Sequence, residues 1–257
     1  MTAALHVESV GAGEPLVLLH GWGMHAGFFT PVLPMLARRY RVHAVDLPGH
    51  GHSRAYPAVD LNAIVAGLRA RFVAEGAAVV LGWSLGGLVA LQWASIAPAD
   101  MRALVLVSAT PRFVRSADWP HGMDEATLRR FGDELAAGYK LTLQRFVALQ
   151  LQGSETGRAT LAAMRQNLFA RGEPDAQALL SGLDMLRDTD LRAALARIMT
   201  PALVIAGDRD TLTPPGAALA MAAALPHARA VIIPGAAHVP FLSHPEAFMA
   251  ALEAFDG

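Results

Sequence analysis

The chain has 257 residues, of which 53% are hydrophobic and 17% charged, and this composition excludes an intrinsically disordered protein. Its 21 basic and 22 acidic residues give a net charge of −1, so no basic excess is available to bind nucleic acid. Because there is no cysteine, disulfides, cysteine-ligated metals and a cysteine nucleophile are excluded. The N-terminus lacks the basic start and apolar run of a signal peptide, and no apolar stretch approaches the roughly 20 residues of a membrane span. We therefore expect a cytoplasmic protein.

Short apolar segments bounded by Gly, Pro or Asp recur along the chain and predict strands. An amphipathic segment, Leu5–Val10, is typical of an antiparallel edge strand. The other segments share a run of apolar residues without polar alternation: Leu16–Leu19, Val42–Val45, Val79–Leu81, Leu104–Val107, Leu203–Ala206 and Ala230–Ile233. Such runs fit parallel strands covered on both faces. Helical patterns between them, such as Leu61–Glu75 and Leu85–Ala97, predict an α/β fold with a mostly parallel central sheet.

The alternation of strands and helices stops after Ser108 and resumes near Pro201. The intervening segment has helical patterns and no good strand; the predicted helices are Glu125–Ala137, Leu141–Gln152, Arg158–Ala170 and Ala176–Leu186. We interpret residues 111–187 as a helical cap inserted into a core formed by residues 1–110 and 188–257.

A serine between glycines follows the predicted strand at Val79. The stretch Gly82-Trp83-Ser84-Leu85-Gly86 runs from a strand into a helix, the context in which G-x-S-x-G presents a nucleophilic serine on a sharp turn. We predict Ser84 as the nucleophile. The helix that follows it directs main-chain N–H groups and the positive end of its dipole at developing negative charge.

A second loop supplies the other half of an anion site. The strand Leu16–Leu19 ends in His20-Gly21-Trp22-Gly23, where a main-chain N–H can point at the carbonyl oxygen opposite the serine. The N–H groups of Trp22 and Leu85 are therefore predicted to form an oxyanion hole. We expect His20 to orient this loop.

The predicted base and its partner follow the last two strands. Asp208 and Asp210 follow one strand, and His238 lies in a Gly/Ala-rich loop after the next. The order Ser84, Asp210, His238 is a known hydrolase order, in which the acid holds the histidine that deprotonates the serine. Asp208 is the alternative acid, but its position favours a bond within the turn. His244 is the alternative base, but it lies at a helix start, where a cation is disfavoured.

No metal site is predicted. The sequence lacks H-E-x-x-H or a comparable ligand spacing. His50 and His52 lie in Pro48-Gly49-His50-Gly51-His52-Ser53, a loop that we expect to be too rich in glycine to fix metal ligands.

Together these motifs resemble the α/β-hydrolase superfamily over nearly the whole chain. Four stretches resemble more closely the family of pimeloyl-[acyl-carrier protein] methyl ester esterases of biotin synthesis: Leu18–Gly23, Leu81–Ala90, Arg145–Gln150 and His238–Pro245. The resemblance implies a cofactor-free serine carboxylesterase with the roles given above for Ser84, Asp210 and His238. It further implies that Trp22 and Leu85 contact the ester.

The resemblance also assigns residues in the inserted cap. It implies that Phe146 belongs to an acyl channel, and that cap cations bind an acidic carrier protein: Lys140, Arg145, Arg158 and Arg165. Residues 139–171 contain five basic residues and one acidic residue, a net charge of +4, whereas the rest of the chain has 16 basic and 21 acidic residues, a net of −5. A basic cap on an acidic body would steer an acidic partner toward the pocket. The alternative interpretation is that these basic residues only form a solvated helical face.

Three alternatives to this esterase stay open at the level of sequence. They are a general short-chain carboxylesterase, a carbon–carbon hydrolase or perhydrolase with the same triad, and a protein that binds in the pocket without turnover. In each case we expect a monomer that binds neither nucleic acid nor membrane.

Overall fold

The protein is described here from a computed structural model that covers residues 4–57 and 60–255. The described residues do not include 1–3, 58–59 and 256–257. All of these belong to the predicted core, and residues 1–3 are part of the N-terminal segment considered above. The seven strands are β1 Val7–Val10, β2 Glu14–Leu19, β3 Tyr40–Val45, β4 Ala78–Trp83, β5 Met101–Val107, β6 Ala202–Gly207 and β7 Ala228–Ile233. The ten helices are α1 Leu33–Leu36, α2 Leu61–Phe72, α3 Leu85–Ile96, α4 Glu125–Leu149, α5 Gly157–Asn167, α6 Ala176–Asp188, α7 Arg192–Leu195, α8 Pro215–Ala224, α9 Pro240–Ser243 and α10 Pro245–Phe255.

The strands form one sheet in the order β1-β3-β2-β4-β5-β6-β7. β1 is antiparallel to β3, as predicted for the edge segment, and the other neighbours are parallel. β4 and β6 are buried along their whole length because helices cover the sheet, which explains why the sequence shows no polar alternation there. The predicted mostly parallel α/β fold is confirmed.

The strand order places the candidate site. β2 and β4 are neighbours with Leu19 opposite Gly82, although β3 lies between them in the sequence. At such a change in strand order, the loops that leave the carboxyl ends diverge and open a crevice. The loop that begins at His20 follows β2, and Ser84 follows β4, so the two loops meet at this crevice.

The segment between β5 and β6 holds α4, α5 and α6, and we call residues 111–187 the insert. Two of the predicted helices, Glu125–Ala137 and Leu141–Gln152, are joined in the structure as the single helix α4. The junction is a kink at Gly138, with φ 175° and ψ 81°. The backbone at Gly138 is not helical, so the predicted division into two helical segments is confirmed, although no loop separates them. Among residues 4–57 and 60–255, no helix is both long and apolar enough to cross a bilayer.

Candidate active site

Ser84 lies on a strained turn between β4 and α3. Its φ is 56° and its ψ is −116°, a left-handed conformation that is costly for a residue with a side chain. The flanking glycines are required by space: a Cβ on Gly82 would lie 2.3 Å from the Gly86 carbonyl oxygen, and one on Gly86 would lie 2.2 Å from the Leu19 oxygen. The second contact brings the start of α3 against the end of β2.

Two main-chain N–H groups are available beside this serine. Leu85 is the first residue of α3, so its N–H has no carbonyl partner within the helix. Trp22 lies in the turn that Met24 closes by donating its N–H to the Gly21 oxygen at 3.2 Å. A Cβ on Gly21 would lie 3.3 Å from the Ser84 Cβ, so this loop runs directly past the serine.

His20 holds the loop His20–Gly23 in place through hydrogen bonds. The Leu47 N–H donates to its Nε2 at 2.9 Å, so Nδ1 carries the proton and donates to the Gly21 oxygen at 2.8 Å. Burial, followed by the nearby His50 imidazole, lowers the pKa of His20 to about 3. His20 is thus a neutral, fully engaged side chain with the orienting geometry that the sequence predicted.

Asp210 and His238 form a buried pair. The Asp210 Oδ2 accepts a hydrogen bond from His238 Nδ1 at 2.8 Å. Its Oδ1 accepts from the N–H groups of Leu212 at 2.9 Å and Thr213 at 3.0 Å. Burial raises the pKa of the Asp210 carboxyl, but His238 and these hydrogen bonds outweigh it and hold the pKa below its ordinary value. The ionised carboxylate keeps the proton of His238 on Nδ1, so that Nε2 can act as a base.

Asp208 occupies a different environment from Asp210. Its Oδ1 accepts from the Gly235 N–H at 2.8 Å, and the side chain is exposed. The sequence analysis expected a bond within the turn after β6, whereas this bond joins that turn to the loop after β7. His244, the alternative base, forms a local contact of 2.9 Å between its Nδ1 and the Ser243 Oγ.

Three residues that the sequence analysis missed hold the pair in place. The Trp83 indole donates to the His238 carbonyl oxygen at 2.9 Å, and the His238 N–H donates to the Gln150 carbonyl oxygen at 3.0 Å. The Thr213 hydroxyl donates to the Asp210 Oδ2 at 2.7 Å. Trp83 could have been suspected from its place between the glycines. Gln150 ends the stretch Arg145–Gln150 that carries the family resemblance, but nothing in the sequence indicated that its main-chain oxygen holds His238.

The side chains of Ser84 and His238 line one narrow cavity of about 20 Å³ beneath the insert. Its other lining residues are all apolar: Trp22, Phe113, Met123, Leu128, Phe131, Phe146, Leu183, Leu186 and Leu212. His238 is the one side chain in this lining that is a common metal ligand, so the cavity wall lacks a metal-binding set. The apolar lining suits an acyl chain with a carbonyl at Ser84, but a volume of about 20 Å³ holds about one water molecule, so the insert must shift for such a chain to enter.

The insert is fastened to the loop that carries Trp22. The Trp22 indole donates to the Leu179 carbonyl oxygen at 2.8 Å. A Cβ on Gly182 would lie 2.6 Å from the Trp22 ring, so α6 crosses it at close range. Phe146 packs against the same ring edge-on, with centroids 4.9 Å apart. One side chain therefore links the loop at Ser84 to both α4 and α6.

The five basic residues between positions 139 and 171 fall into three groups. Lys140 pairs with Glu173, and Arg145 pairs with Glu134 at 3.4 Å. Two exposed arginines, Arg158 and Arg165, are seven residues apart on α5 and form no ion pair with any other described residue.

Arg171 differs from these four because it points inward. Its guanidinium contacts Glu8 at 2.5 Å and the buried Asp46 at 3.4 Å. The charge of +4 counted over residues 139–171 therefore overstates the exposed positive charge of the insert.

Comparison with known proteins agrees with this geometry. A family model described as alpha/beta hydrolase fold matches residues 14–245. The chain belongs to the alpha/beta hydrolase family. It is 47% identical over 253 residues to a pimeloyl-[acyl-carrier protein] methyl ester esterase of Xanthomonas campestris, covering 98% of both chains. It is 45% identical over 248 residues to the Chromobacterium violaceum protein of the same name, covering 96% of both chains.

A solved member of the alpha/beta hydrolase family has the same fold. The structure of an esterase from Exiguobacterium antarcticum superposes with a TM-score of 0.88 at 24% identity, covering 98% of this chain and 94% of that one. At that identity the likeness concerns the fold alone. The hydrolase activity expected from the sequence is supported by the two relatives named as esterases.

Proposed function

We propose that this hydrolase cleaves the methyl ester of a pimeloyl group carried on acyl carrier protein, releasing the free carboxylate and methanol. The observation that carries the proposal is the 47% identity, over 98% of both chains, to a relative named for that substrate. The apolar cavity at Ser84 supports it, because a chain of methylene groups needs an apolar wall on every side.

The proposed mechanism uses Ser84, His238 and Asp210. His238 Nε2 removes the proton from the Ser84 hydroxyl as its oxygen attacks the ester carbonyl, and the N–H groups of Trp22 and Leu85 stabilise the oxyanion. His238 then protonates the departing methoxide as methanol. Water attacks the acyl-enzyme in the same way and regenerates Ser84. No group outside the chain, other than water, takes part in these steps.

Phe146 is proposed to form part of the acyl channel. It lines the cavity together with Phe131, and both rings contact Trp22. The insert, for which we propose the boundaries 111–187, would then act as a cap that encloses the acyl chain. Specificity for chain length would reside in the insert, whereas the bond-breaking groups belong to the core.

Lys140, Arg145, Arg158 and Arg165 are proposed to bind the carrier protein. All four are exposed or half-buried on α4 and α5. Arg158 and Arg165 are the strongest candidates because no carboxylate of the described chain competes for them. Charges at the rim of an interface act mainly on the rate of encounter with an acidic partner.

The decisive experiment offers the purified protein the methyl ester of pimeloyl-carrier protein and follows release of the free acid. Wild type should hydrolyse it, and the double variant Arg158→Glu/Arg165→Glu should slow that reaction at least tenfold. Hydrolysis of a short p-nitrophenyl ester should stay within twofold, since these arginines lie outside the cavity. Equal loss on both substrates would count against a carrier site, and no hydrolysis of the carrier ester would sink the proposal.

We further propose that one copy of the chain suffices and that it acts in the cytoplasm. A panel of carrier esters, short free esters and vinylogous diketones tests the substrate class. Preference for the short free ester would indicate a general carboxylesterase, and preference for the diketone a carbon–carbon hydrolase.

A further inference from the structure

Three metal-ligating side chains converge at the sheet edge, on residues that do not line the Ser84 cavity. They are His6, which directly precedes β1, Glu8 on β1, and His52 in the 3₁₀ turn Gly51–Ser53 after β3. One ligand atom from each lies within 4.8 Å of the other two. Within residues 4–57 and 60–255, this is the one group of three such side chains at that spacing.

The main chain holds the two contributing segments together. The His6 N–H donates to the Ser53 Oγ at 2.8 Å, and the His6 carbonyl accepts from the Asp46 N–H at 3.1 Å. The His52 N–H donates to the Asp46 Oδ2 at 3.0 Å. His6 and Glu8 are two residues apart in an extended segment and so project to the same side. The cluster is therefore preorganised rather than dependent on a flexible loop.

One of the three ligand atoms, His6 Nε2, is left without a hydrogen bond when no ion is present. His6 Nε2 is buried and has no hydrogen-bond partner within the described residues. It lies 3.7 Å from the Glu8 Oε1, too far for a hydrogen bond but close to the roughly 3.4 Å that separates two ligands of a tetrahedral zinc. The His6 and His52 rings meet edge-on with centroids 4.8 Å apart.

The surrounding charges are compatible with a cation. Arg171 pairs with the Glu8 Oε2 at 2.5 Å, which orients the carboxylate and leaves Oε1 facing His6. The buried Asp46 carboxylate offsets the charge of Arg171 at 3.4 Å. Two imidazoles and one carboxylate select zinc and its first-row neighbours over magnesium or calcium, which prefer an all-oxygen shell.

We propose that His6, Glu8 and His52 bind a divalent transition-metal ion that ties β1 to the loop after β3. The fourth position is open to water. This differs from the expectation of no metal site, because the sequence gave no sign that strand residues 6 and 8 meet position 52. An ion that binds only the folded chain raises its stability. The site is independent of the proposed esterase function.

The test titrates tag-free, EDTA-treated protein with Zn²⁺ by calorimetry, and with Co²⁺ by visible absorption. Wild type should bind one ion, and His52→Ala should weaken binding at least about tenfold. His52 is exposed, so this variant should keep the fold. The matched control is His227→Ala, an exposed histidine outside the cluster, which should bind as wild type does.

A second measurement reports on the folded state. Zn²⁺ should raise the melting temperature of wild type and of His227→Ala but not of His52→Ala. Ester hydrolysis by EDTA-treated wild type should be unchanged, because the ion lies away from Ser84. Absence of Zn²⁺ binding by wild type, or equal affinity in wild type and His52→Ala, would overturn the proposal.

Discussion

The core around Ser84 and the insert above it are held by different kinds of contact. In the core, the side chains of His20 and Asp210 are buried and satisfied by hydrogen bonds at both ends. The insert contacts that core through apolar side chains, the Trp22 indole and the inward-facing Arg171, and also through main-chain bonds such as that from the His238 N–H to the Gln150 oxygen. Hydrogen bonds therefore surround the proposed reacting groups, whereas the wall proposed to hold the acyl chain consists mainly of apolar side chains of the insert. Changes in the two regions should consequently give different kinetic and stability signatures.

The largest effect is expected in the core, at Ser84. The change Ser84→Ala should lower kcat on any ester by about 10⁵-fold or more, because it removes the only proposed nucleophile. Measurement of p-nitrophenyl acetate turnover checks this, with the melting temperature as a control for folding. Wild-type turnover in the variant would contradict the proposed mechanism.

The two aspartates that follow β6 provide a matched pair. Asp210→Asn should lower kcat by about 10⁴-fold, since an amide cannot hold the proton of His238 on Nδ1. Asp208→Asn should stay within about twofold, because Asp208 is exposed and its carboxylate contacts Gly235 and Arg209, neither of which belongs to the proposed mechanism. Steady-state kinetics of both variants on one ester show which aspartate is the partner of His238. A larger loss in Asp208→Asn would reassign the acid.

Arginines of the insert give a second matched pair, measured by stability. Arg171→Met should lower the free energy of unfolding by about 3 kcal/mol, because it leaves the buried Asp46 carboxylate without its cation. Arg165→Met removes an exposed charge and should cost less than about 0.5 kcal/mol. Urea unfolding of the two variants measures the difference. Equal costs would mean that Arg171 does not fasten the insert to the core.

The fold was predictable from local pattern because the central strands contain uninterrupted apolar runs, such as Val79–Leu81 and Leu203–Ala206. The choice of Asp210 over Asp208 followed from its position farther along the loop, and the structure provides the physical reason in the main-chain N–H groups of Leu212 and Thr213. The different roles of Asp208 and Asp210 thus depend on the few residues that surround them.

Features that depend on distant contacts were not predictable. The break between the two predicted helical segments coincides with the kink at Gly138. The packing of Phe131 and Phe146, on either side of that kink, against Trp22 was not predicted. Arg171 was counted as surface charge, although its partners Glu8 and Asp46 lie 163 and 125 residues away. Neither contact leaves a trace in the neighbouring sequence.

The smallest predicted effect concerns the pH dependence of the core. Burial, followed by His50, lowers the pKa of His20 to about 3 from an ordinary value of 6.5. Between pH 3 and pH 6.5, His20 binds a proton in the unfolded chain but not in the folded chain. The contribution of neutral His20 to the free energy of unfolding is therefore complete above pH 6.5 and declines as the pH falls. One such group makes the free energy of unfolding decrease by about 1 kcal/mol per pH unit below 6.

The variant His20→Gln isolates this contribution, because a glutamine amide has both a donor and an acceptor to replace the bonds to Gly21 and Leu47. Burial lowers the pKa of three other histidines, His25, His43 and His50, and these remain in both proteins. In urea unfolding between pH 7 and pH 5, the free energy of unfolding should therefore fall less steeply with decreasing pH in the variant than in wild type. The difference between the two slopes should correspond to about one proton. An identical slope in the two proteins would mean that His20 takes up a proton in the folded state, and Nε2 would then no longer accept the hydrogen bond from the Leu47 N–H.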